Sequence, residues 1–448
     1  MRGAYTISGR RFFVSGTHLC EVSAVGVVTD YAGGLVDDGL PAVMVGGGTA
    51  SGKYPGQLLI MSGGLLTVFD LATNVFLPTT GAPTQVLMID FIDGFFIALT
   101  AGNAWQVSNA EDATTWSGLA VSQVAVFSDQ LLSIIASDRL LWVFGARRAV
   151  AYYNSGAPIF PFDVVSSSFM EVGILSQFSV ARVATKTGTT IMWLGGDERG
   201  GGVVFAANGF TPQRVSDHGL EYWLSKQSQI SDAVGFAMQD QGHNFYVLWF
   251  PTANATWVFD ADLGFWHRRT SLIKGVQAAH LARCHMFDGT SHLVGDRNSG
   301  NVYKLSINNL SEVSSIGTSN IIRTRVGPTI ADESSWLPVP INEFQVDFEM
   351  GMGPIPPLTD GYGNPRDPIA MFSYSEDFGK TWTDERMIPC GQAGNYRSAA
   401  IDRRLGAWRS FTPRVTVSDP INWRIVDAYT NSTQDHQQRL SKSFAKIT

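Results

Sequence analysis

Cysteine, charge and long apolar runs are all scarce in this chain. The three cysteines, Cys20, Cys284 and Cys390, are far apart and odd in number, and no CxxC spacing exists. That excludes a zinc cage or a disulfide framework and leaves reduced thiols buried as small hydrophobes. No stretch of 18 apolar residues occurs, and the start "MRGAYTISGRRFFVSG" has no apolar signal region. The expectation is a chain made and folded in a cytoplasm, with no membrane span. Charged residues are only 16%, with 32 Lys and Arg against 39 Asp and Glu, a formal net charge of −7. Such a chain has no global electrostatic reason to grip a phosphate backbone. Uninterrupted helical periodicity is rare as well.

Motifs for chemistry are equally thin. "AAHLARCHMFDG" brings His280, Cys284 and His285 close in sequence without fixed ligand spacing, and it reads as a strand pair. His243 in "QGHNFYVLWF" stands at a strand entry and reads as a hydrogen-bonding turn residue. "GGDERGGG" (195–202) is glycine-rich but has no GK[ST] and no helix behind it, so it reads as a hairpin tip. Nothing assembles a nucleophile with its base. The reading is of a non-enzyme with no catalytic residue, no cofactor and no metal.

What the chain does have is 46 glycines, 11% aromatics and 44% hydrophobic residues in 448. That composition suits many short strands joined by tight turns, an all-β fold. One unit recurs: an apolar run, a small turn, a second apolar run. It starts at Arg11, Leu58, Phe95, Leu141, Ile191, Phe245 and His292, at intervals of 47, 37, 46, 50, 54 and 47 residues. Four-stranded propeller blades repeat at about this period. Within the repeat, "TVFDLATNVF" and "WVFDADLGFW" share a pattern in which Asp70 and Asp260 close a turn with their carboxylates. The expected fold is a six- or seven-bladed β-propeller over residues 1–325; a large two-sheet sandwich is the structural alternative.

Near Val326 the composition shifts to Pro and Gly, then to further strand-like runs. Residues 326–430 are expected to form a β-sandwich-like domain, followed by a polar, peripheral C-terminal tail, 431–448, with a helical turn or two. Within the second domain "SYSEDFGKTW" fits the Asp-box pattern: Ser375, Asp377, Gly379, Thr381 and Trp382. The residue types suit a hairpin turn, with Asp377 accepting backbone N–H bonds, Gly379 at positive φ and Trp382 packed beneath. In sialidase-like enzymes such boxes sit away from the active site, so the turn by itself indicates a hairpin. The paired arginines (Arg10–Arg11, Arg147–Arg148, Arg268–Arg269, Arg403–Arg404) point to opposite faces of a strand and cannot share one pocket. Solvated rims or subunit contacts are their expected homes.

One block carries a family resemblance. "WVFGARRAVAYYNSGAPIFPFDVVSSSFMEVGILSQFSVARV", then "IMWLGGDERGGGVVFAANGFTPQRVSDHGLEYWL" and "GHNFYVLWFPTANATWVFDADLGFWHRR", resembles the packaged-DNA stabilisation proteins of short-tailed bacteriophages. The resemblance covers about residues 1–430 and is most specific from Leu141 to Arg269. Members usually carry a segment ahead of the "RGAY" strand, which Met1 here almost abuts. The resemblance implies a tail hub or nozzle in the virion tail: a homo-hexameric ring beneath the portal and its adaptor ring. Such a ring prolongs the DNA channel, retains packaged DNA without binding it specifically, and anchors tailspike, fibre or needle proteins. Arginine pairs facing neighbouring subunits and an acidic or small polar lumen would follow. The Pro/Gly-rich stretch 351–368 is expected to reach an adjacent subunit or tail protein. The alternatives are a sialidase-like or lectin-like propeller acting on host glycans and, more weakly, a tail fibre or spike.

Overall fold

Runs of Val, Ile, Phe and Trp that alternate with polar residues and end in glycine or aspartate turns fold as antiparallel hairpins, because branched and aromatic side chains fit a pleated, half-buried surface. In the computed structural model this happens throughout. The structure describes residues 1–123, 129–196, 201–314, 317–332, 336–349, 353–395, 400–422, 424–431 and 438–439. The chain is nearly all-β, a propeller followed by a sandwich, and divides into two units. The first is Met1–Ser271 with Gln277–Ser306; the second is Leu272–Val276 with Ile307–Thr448.

In the first unit, six four-stranded antiparallel sheets occupy 3–30, 43–77, 86–123, 131–164, 181–214 and 234–268, and a three-stranded sheet occupies 282–305. These are blades 1 to 7. Each of the seven repeat units begins within the second strand of one blade, from Arg10–Ser15 in blade 1 to His292–Asp296 in blade 7. The first strands of the blades neighbour one another around a ring. Gly3–Ile7 of blade 1 lies beside Val43–Gly47 of blade 2 and also beside Ala282–Phe287 of blade 7. That circular adjacency excludes the two-sheet alternative for this unit. Buried apolar clusters fill successive seams: Phe12, Leu58 and Phe69 between blades 1 and 2; Leu59, Phe96 and Trp116 between 2 and 3; Trp105, Leu141 and Tyr152 between 3 and 4. Phe144 and Trp193 lie between 4 and 5, and Leu194, Tyr246 and Phe250 between 5 and 6. One helix, His218–Ser225, follows blade 5; the Asp217 carboxylate caps it by accepting from Leu220 N.

Blade 7 closes onto blade 1 by tighter means. The Met1 ammonium donates to the carbonyls of Asp296 (2.9 Å) and Ser299 (3.0 Å). Arg11 pairs with Asp288 at 2.7 Å. The approach needs a glycine at 295: a Cβ there would stand 2.5 Å from Met1 Cβ and 2.6 Å from Cys284 Sγ.

The second unit packs two antiparallel sheets face to face. One has the order Arg323–Val326, Thr412–Val417, Ile369–Ser375, Arg386–Pro389; the other Ala400–Trp408, Val339–Phe348, Ile425–Asn431, Gln438–Arg439. Phe344 of one sheet stacks on Phe372 of the other with ring centres 4.7 Å apart, in a core completed by Phe411, Val415 and Leu405. Of the expected tail, only Asn431 and Gln438–Arg439 lie within the described residues, so its helical turn falls outside them.

Because the blade 7 to blade 1 seam leaves no room for a side chain at 295, Gly295→Val should cost about 1–3 kcal/mol in denaturant unfolding. Gly118→Ala, whose Cβ meets nothing within 4 Å, should stay within about 0.5 kcal/mol of the parent. Equal stability of the two variants would remove close packing as the reason for this glycine.

Candidate functional site: a plugged axis and carboxylate-clamped turns

The axis of a propeller is where many such folds hold a ligand, so its contents decide what this one can do. Here the segment between blades 4 and 5, "ILSQFSV" (174–180), crosses it. Ser176 donates to Ala233 O ahead of blade 6 at 2.5 Å. Gln177 Nε2 donates to Leu87 O in blade 3, and its carbonyl accepts from Ser133 Oγ of blade 4 at 2.8 Å. Phe178 packs against the apolar cluster of blades 2 and 3, and its carbonyl accepts from Gly235 N of blade 6 at 2.8 Å. Four blades are thus tied to three consecutive residues.

A polar cross-link joins the same inner strands. Arg182 of blade 5 donates through Nε to Ala136 O in blade 4 and through Nη2 to the Asp90 carboxylate in blade 3. Asp90, 7% exposed, also accepts from Ala136 N at 2.6 Å and Phe91 N at 2.8 Å. Tyr5 of blade 1 feels the charges of both Asp90 and Arg182; burial, the largest influence on it, raises its phenol pKa. Its oxygen accepts from Gly46 N at 3.0 Å in blade 2. The Arg182 and Asp90 contacts bridge the inner strands of blades 3, 4 and 5, with the Arg182 side chain 46% exposed.

The aspartates singled out in the sequence are turn clamps. Asp70 accepts from Ala72 N at 2.7 Å, Thr73 N at 3.3 Å and Ser51 Oγ at 2.9 Å. Asp260 accepts from Asp262 N at 2.9 Å and Leu263 N at 3.1 Å, and faces His243 Nδ1 at 2.8 Å. In the sandwich, Asp377 accepts from Lys380 N, Thr381 N, Thr381 Oγ1 and Ser375 Oγ at 2.7–2.9 Å. The hydrogen bonds from Thr381 and Ser375 hold its carboxyl far below the usual range. Gly379 has φ +89°, and its N–H donates to Ser375 Oγ at 2.8 Å. Trp382 lies half-buried beside it, with the Arg414 guanidinium 4.2 Å over its ring. Ser375, Asp377, Gly379 and Thr381 all spend their polar groups inside the turn. The structure leaves Asp70 and Asp260 in the propeller and the Asp-box in the sandwich, assembled into no common site.

Other candidates resolve similarly. Burial raises the thiols of Cys284 and Cys390, to about 11 and about 12, so neither is an activated nucleophile. Cys284 and His285 lie together on Ala282–Phe287, and burial pushes His285 down to about 4 and His280 to about 3. The tip of 195–202 lies outside the described residues. Some of the paired arginines are drawn in from the expected solvated rims. Arg10 forks onto Glu21 at 2.6 and 2.8 Å, Arg11 binds Asp288, Arg268 lies over Trp257 and Arg269 over Phe245. Arg147, Arg148, Arg403 and Arg404 remain exposed. Strand geometry does separate each pair; Arg10, Arg11 and Arg269 are half-buried against Glu21, Asp288 and Phe245, while Arg268 stays exposed over Trp257. The axial plug was missed from sequence because "ILSQFSV" has no feature that distinguishes it from a strand.

A family profile described as bacteriophage P22 Gp10, beta-propeller, matches residues 1–309, and one described as bacteriophage P22 Gp10, beta-sandwich, matches residues 323–430. The chain belongs to the bacteriophage P22 Gp10 family. It is therefore a phage structural protein of the packaged-DNA stabilisation and tail-hub kind, a virion tail component. No curated protein sequence matches the chain. Among solved structures, one of the mitotic checkpoint complex is similar at 13% identity and TM-score 0.41, over 66% of this chain and 85% of that one. The extracellular domain of the BT4673 one-component system from B. thetaiotaomicron is similar at 11% and 0.41, over 98% and 55%. The N-terminal domain of Nup159 is similar at 11% and 0.38, over 68% and 85%. At these scores the likenesses carry no argument beyond the Gp10 assignment.

The seam of this Gp10-family propeller contains an acid-labile contact. Burial works to raise the Asp288 pKa, but the N–H groups of Thr290 and Ser291, the Thr290 hydroxyl and the Arg11 charge outweigh it and bring it to about 2 from an ordinary 3.8. A depressed pKa contributes stability that is present above about pH 4 and lost as pH falls towards 2. Melting curves between pH 5 and 2 should show the parent losing its advantage over Asp288→Asn through that window. A constant gap between them would mean that Asp288 is not the titrating group.

Proposed function

We propose that this chain is a non-enzymatic tail hub that assembles as a hexameric ring below the portal and adaptor proteins. The ring extends the DNA channel, helps retain packaged DNA, and anchors spike, fibre or needle proteins. Family membership across both units carries this reading, and the bridging of the inner strands around the propeller axis agrees with it. Residues 174–180 and the Arg182–Asp90 pair bridge the inner strands within one chain, so in this reading DNA does not pass through a single propeller. The opening in this reading is the hole between copies. Six copies of a −7 chain sum to −42, a charge that disfavours binding the polymer it passes. The chain would be made in the host cytoplasm before it enters the tail.

The loop following Phe348 is the surface we assign to a neighbouring subunit or tail protein. Arg366 clamps its base, donating to both Asp419 oxygens at 2.6 and 2.8 Å. Asp360 accepts from Tyr362 N and Asn364 N, both at 2.9 Å, which stiffens the tip. On this held frame Ile355 is 89% and Tyr362 93% exposed. Rigid, exposed aromatic and aliphatic anchors are what interfaces use. Removing the whole loop would also remove Arg366, so point changes are the cleaner test.

Native mass spectrometry of the purified chain, alone and with portal and adaptor, should give a six-fold ring that co-migrates with them; a persistent monomer in both conditions would overturn the proposal. Ile355→Ala with Tyr362→Ala should leave the melting temperature unchanged and weaken ring or tail assembly at least tenfold. Unchanged assembly would free this loop from the role.

A further inference from the structure

The stretch "AAHLARCHMFDGTSHL" (278–293) folds so that two of its imidazoles meet. Blade 7 runs along Ala282–Phe287 and returns along His292–Asp296, with His285 opposite Val294 and Phe287 opposite His292. On that diagonal His285 Nε2 and His292 Nδ1 stand 2.9 Å apart. Neighbouring residues of the strand serve opposite seams. Cys284 Sγ lies by Gly295 and Met1 on the blade 1 side, whereas the His285 ring meets blade 6. There Phe236, from the first strand of blade 6, stacks on it with ring centres 5.6 Å and planes 18° apart. Phe287 covers His292 in turn, at 4.7 Å. The apolar filling of the same seam is Met238, Phe245, Val247 and Val258, with Leu305 of blade 7 packed against it.

An N···N hydrogen bond has room for one proton between its two nitrogens. A neutral pair of imidazoles meets that condition. A pair carrying one extra proton meets it too, because an imidazolium can donate to a neutral imidazole. A second extra proton leaves N–H facing N–H, and the bond is lost. The surroundings oppose that second proton. Burial is the largest influence on His285 and takes its pKa down to about 4; the charges of His292 and Arg269 act in the same direction, and hydrogen bonding to the Ala237 backbone of blade 6 works against them. Arg269 is itself close enough to feel Asp240 and Asp260. The other ionisable side chains around the pair are Arg283 and Cys284 on its own strand and, on the strands packed against it, Asp240, Asp296, Tyr303, Lys304 and Tyr5. None of these is among the charges acting on His285.

We propose that the His285–His292 pair is an acid-sensitive latch on the seam between blades 6 and 7: a second proton breaks its hydrogen bond, sets two imidazolium rings side by side near Arg269, and drives His285 away from Phe236. The sign follows from linkage. Because the His285 pKa is lowered on folding, the unfolded chain takes up this proton first. The stability it governs is complete above about pH 6.5 and falls as pH moves towards 4. Blade 7 is then loosened on its blade 6 side before the Arg11–Asp288 pair on its other side gives way. The latch belongs to the single chain and is independent of ring formation.

Denaturant unfolding of the full chain between pH 7 and 4 reads this. His285→Phe keeps a ring against Phe236 but takes no proton. Relative to that variant, the parent's unfolding equilibrium constant should rise by up to about tenfold per pH unit through the window. His280, whose charging is likewise disfavoured by burial, is common to both proteins and cancels from the ratio. A ratio that stays flat overturns the proposal. His292→Phe, which leaves His285 buried and removes the second ring, should recover part of the loss; no recovery would leave burial alone as the cause and refute the pair. If the variants fail to fold, hydrogen exchange of the parent decides. Amides of Val234–Asp240 and Ala282–Phe287, corrected for the intrinsic effect of pH, should lose protection roughly tenfold or more between pH 6.5 and 4.5 while those of Gln57–Ser62 in blade 2 hold. Equal behaviour of the two regions would sink the latch.

Discussion

A blade is a sheet with two apolar faces, and a ring of blades covers every face only when the last meets the first. The six preceding seams of this propeller are lined by the same aromatic and branched residues that build the strands, so each pair of blades can associate by burial alone. The seventh seam, which none of these clusters spans, has close directional contacts. It is joined by the Met1 ammonium on two carbonyls, the Arg11–Asp288 ion pair and a glycine that lets the first strand lie close to blade 7. Directional contacts of this sort fix a register that non-directional burial does not. The closing blade has only three strands, so shape and charge at this seam decide whether the circle shuts.

Closure then determines what the axis can be. Once the inner strands face each other, their central polar groups need partners. The molecule supplies them by sending Ser176, Gln177 and Phe178 across the ring and by spanning blades 3 to 5 with Arg182 and Asp90. A propeller used as an enzyme or lectin keeps this region open for a ligand. Bridging it ties the inner strands of blades 3 to 6 to one another.

How much of this was written in the sequence follows from the range of the interactions. The seven hairpins were legible because alternation and tight turns are local: Leu58 to Asp70 already holds the strand, turn and strand of blade 2. The Asp-box and the Asp70 and Asp260 turns were legible for the same reason, since donor and acceptor lie within four residues. The plug was not. Gln177 meets Leu87 across 90 residues, and nothing local marks an apolar septet as a crossing and not a strand. The inward turn of Arg11 was hidden likewise, because its acid, Asp288, lies 277 residues away. Sequence reasoning placed the neighbouring arginines on opposite faces correctly and then assigned both faces to the outside.

The low charge content takes on a different meaning once these pairings are known. Asp70, Asp90, Asp260 and Asp296 are all under a tenth exposed, and each is engaged by backbone N–H groups, hydroxyls or an arginine. Their charges help bind the turns and seams and are screened from solvent by the groups they engage. Arg10 and Arg11 are drawn into the fold on the positive side. The field that a passing polymer or a docking partner experiences is therefore set by a smaller population than the net −7 implies. Exposed pairs such as Arg403–Glu343 carry that field and are weakened by salt. Outer contacts of this protein should accordingly depend on ionic strength, while the Arg11–Asp288 pair, with its nearly buried carboxylate, is reached less by salt than by acid.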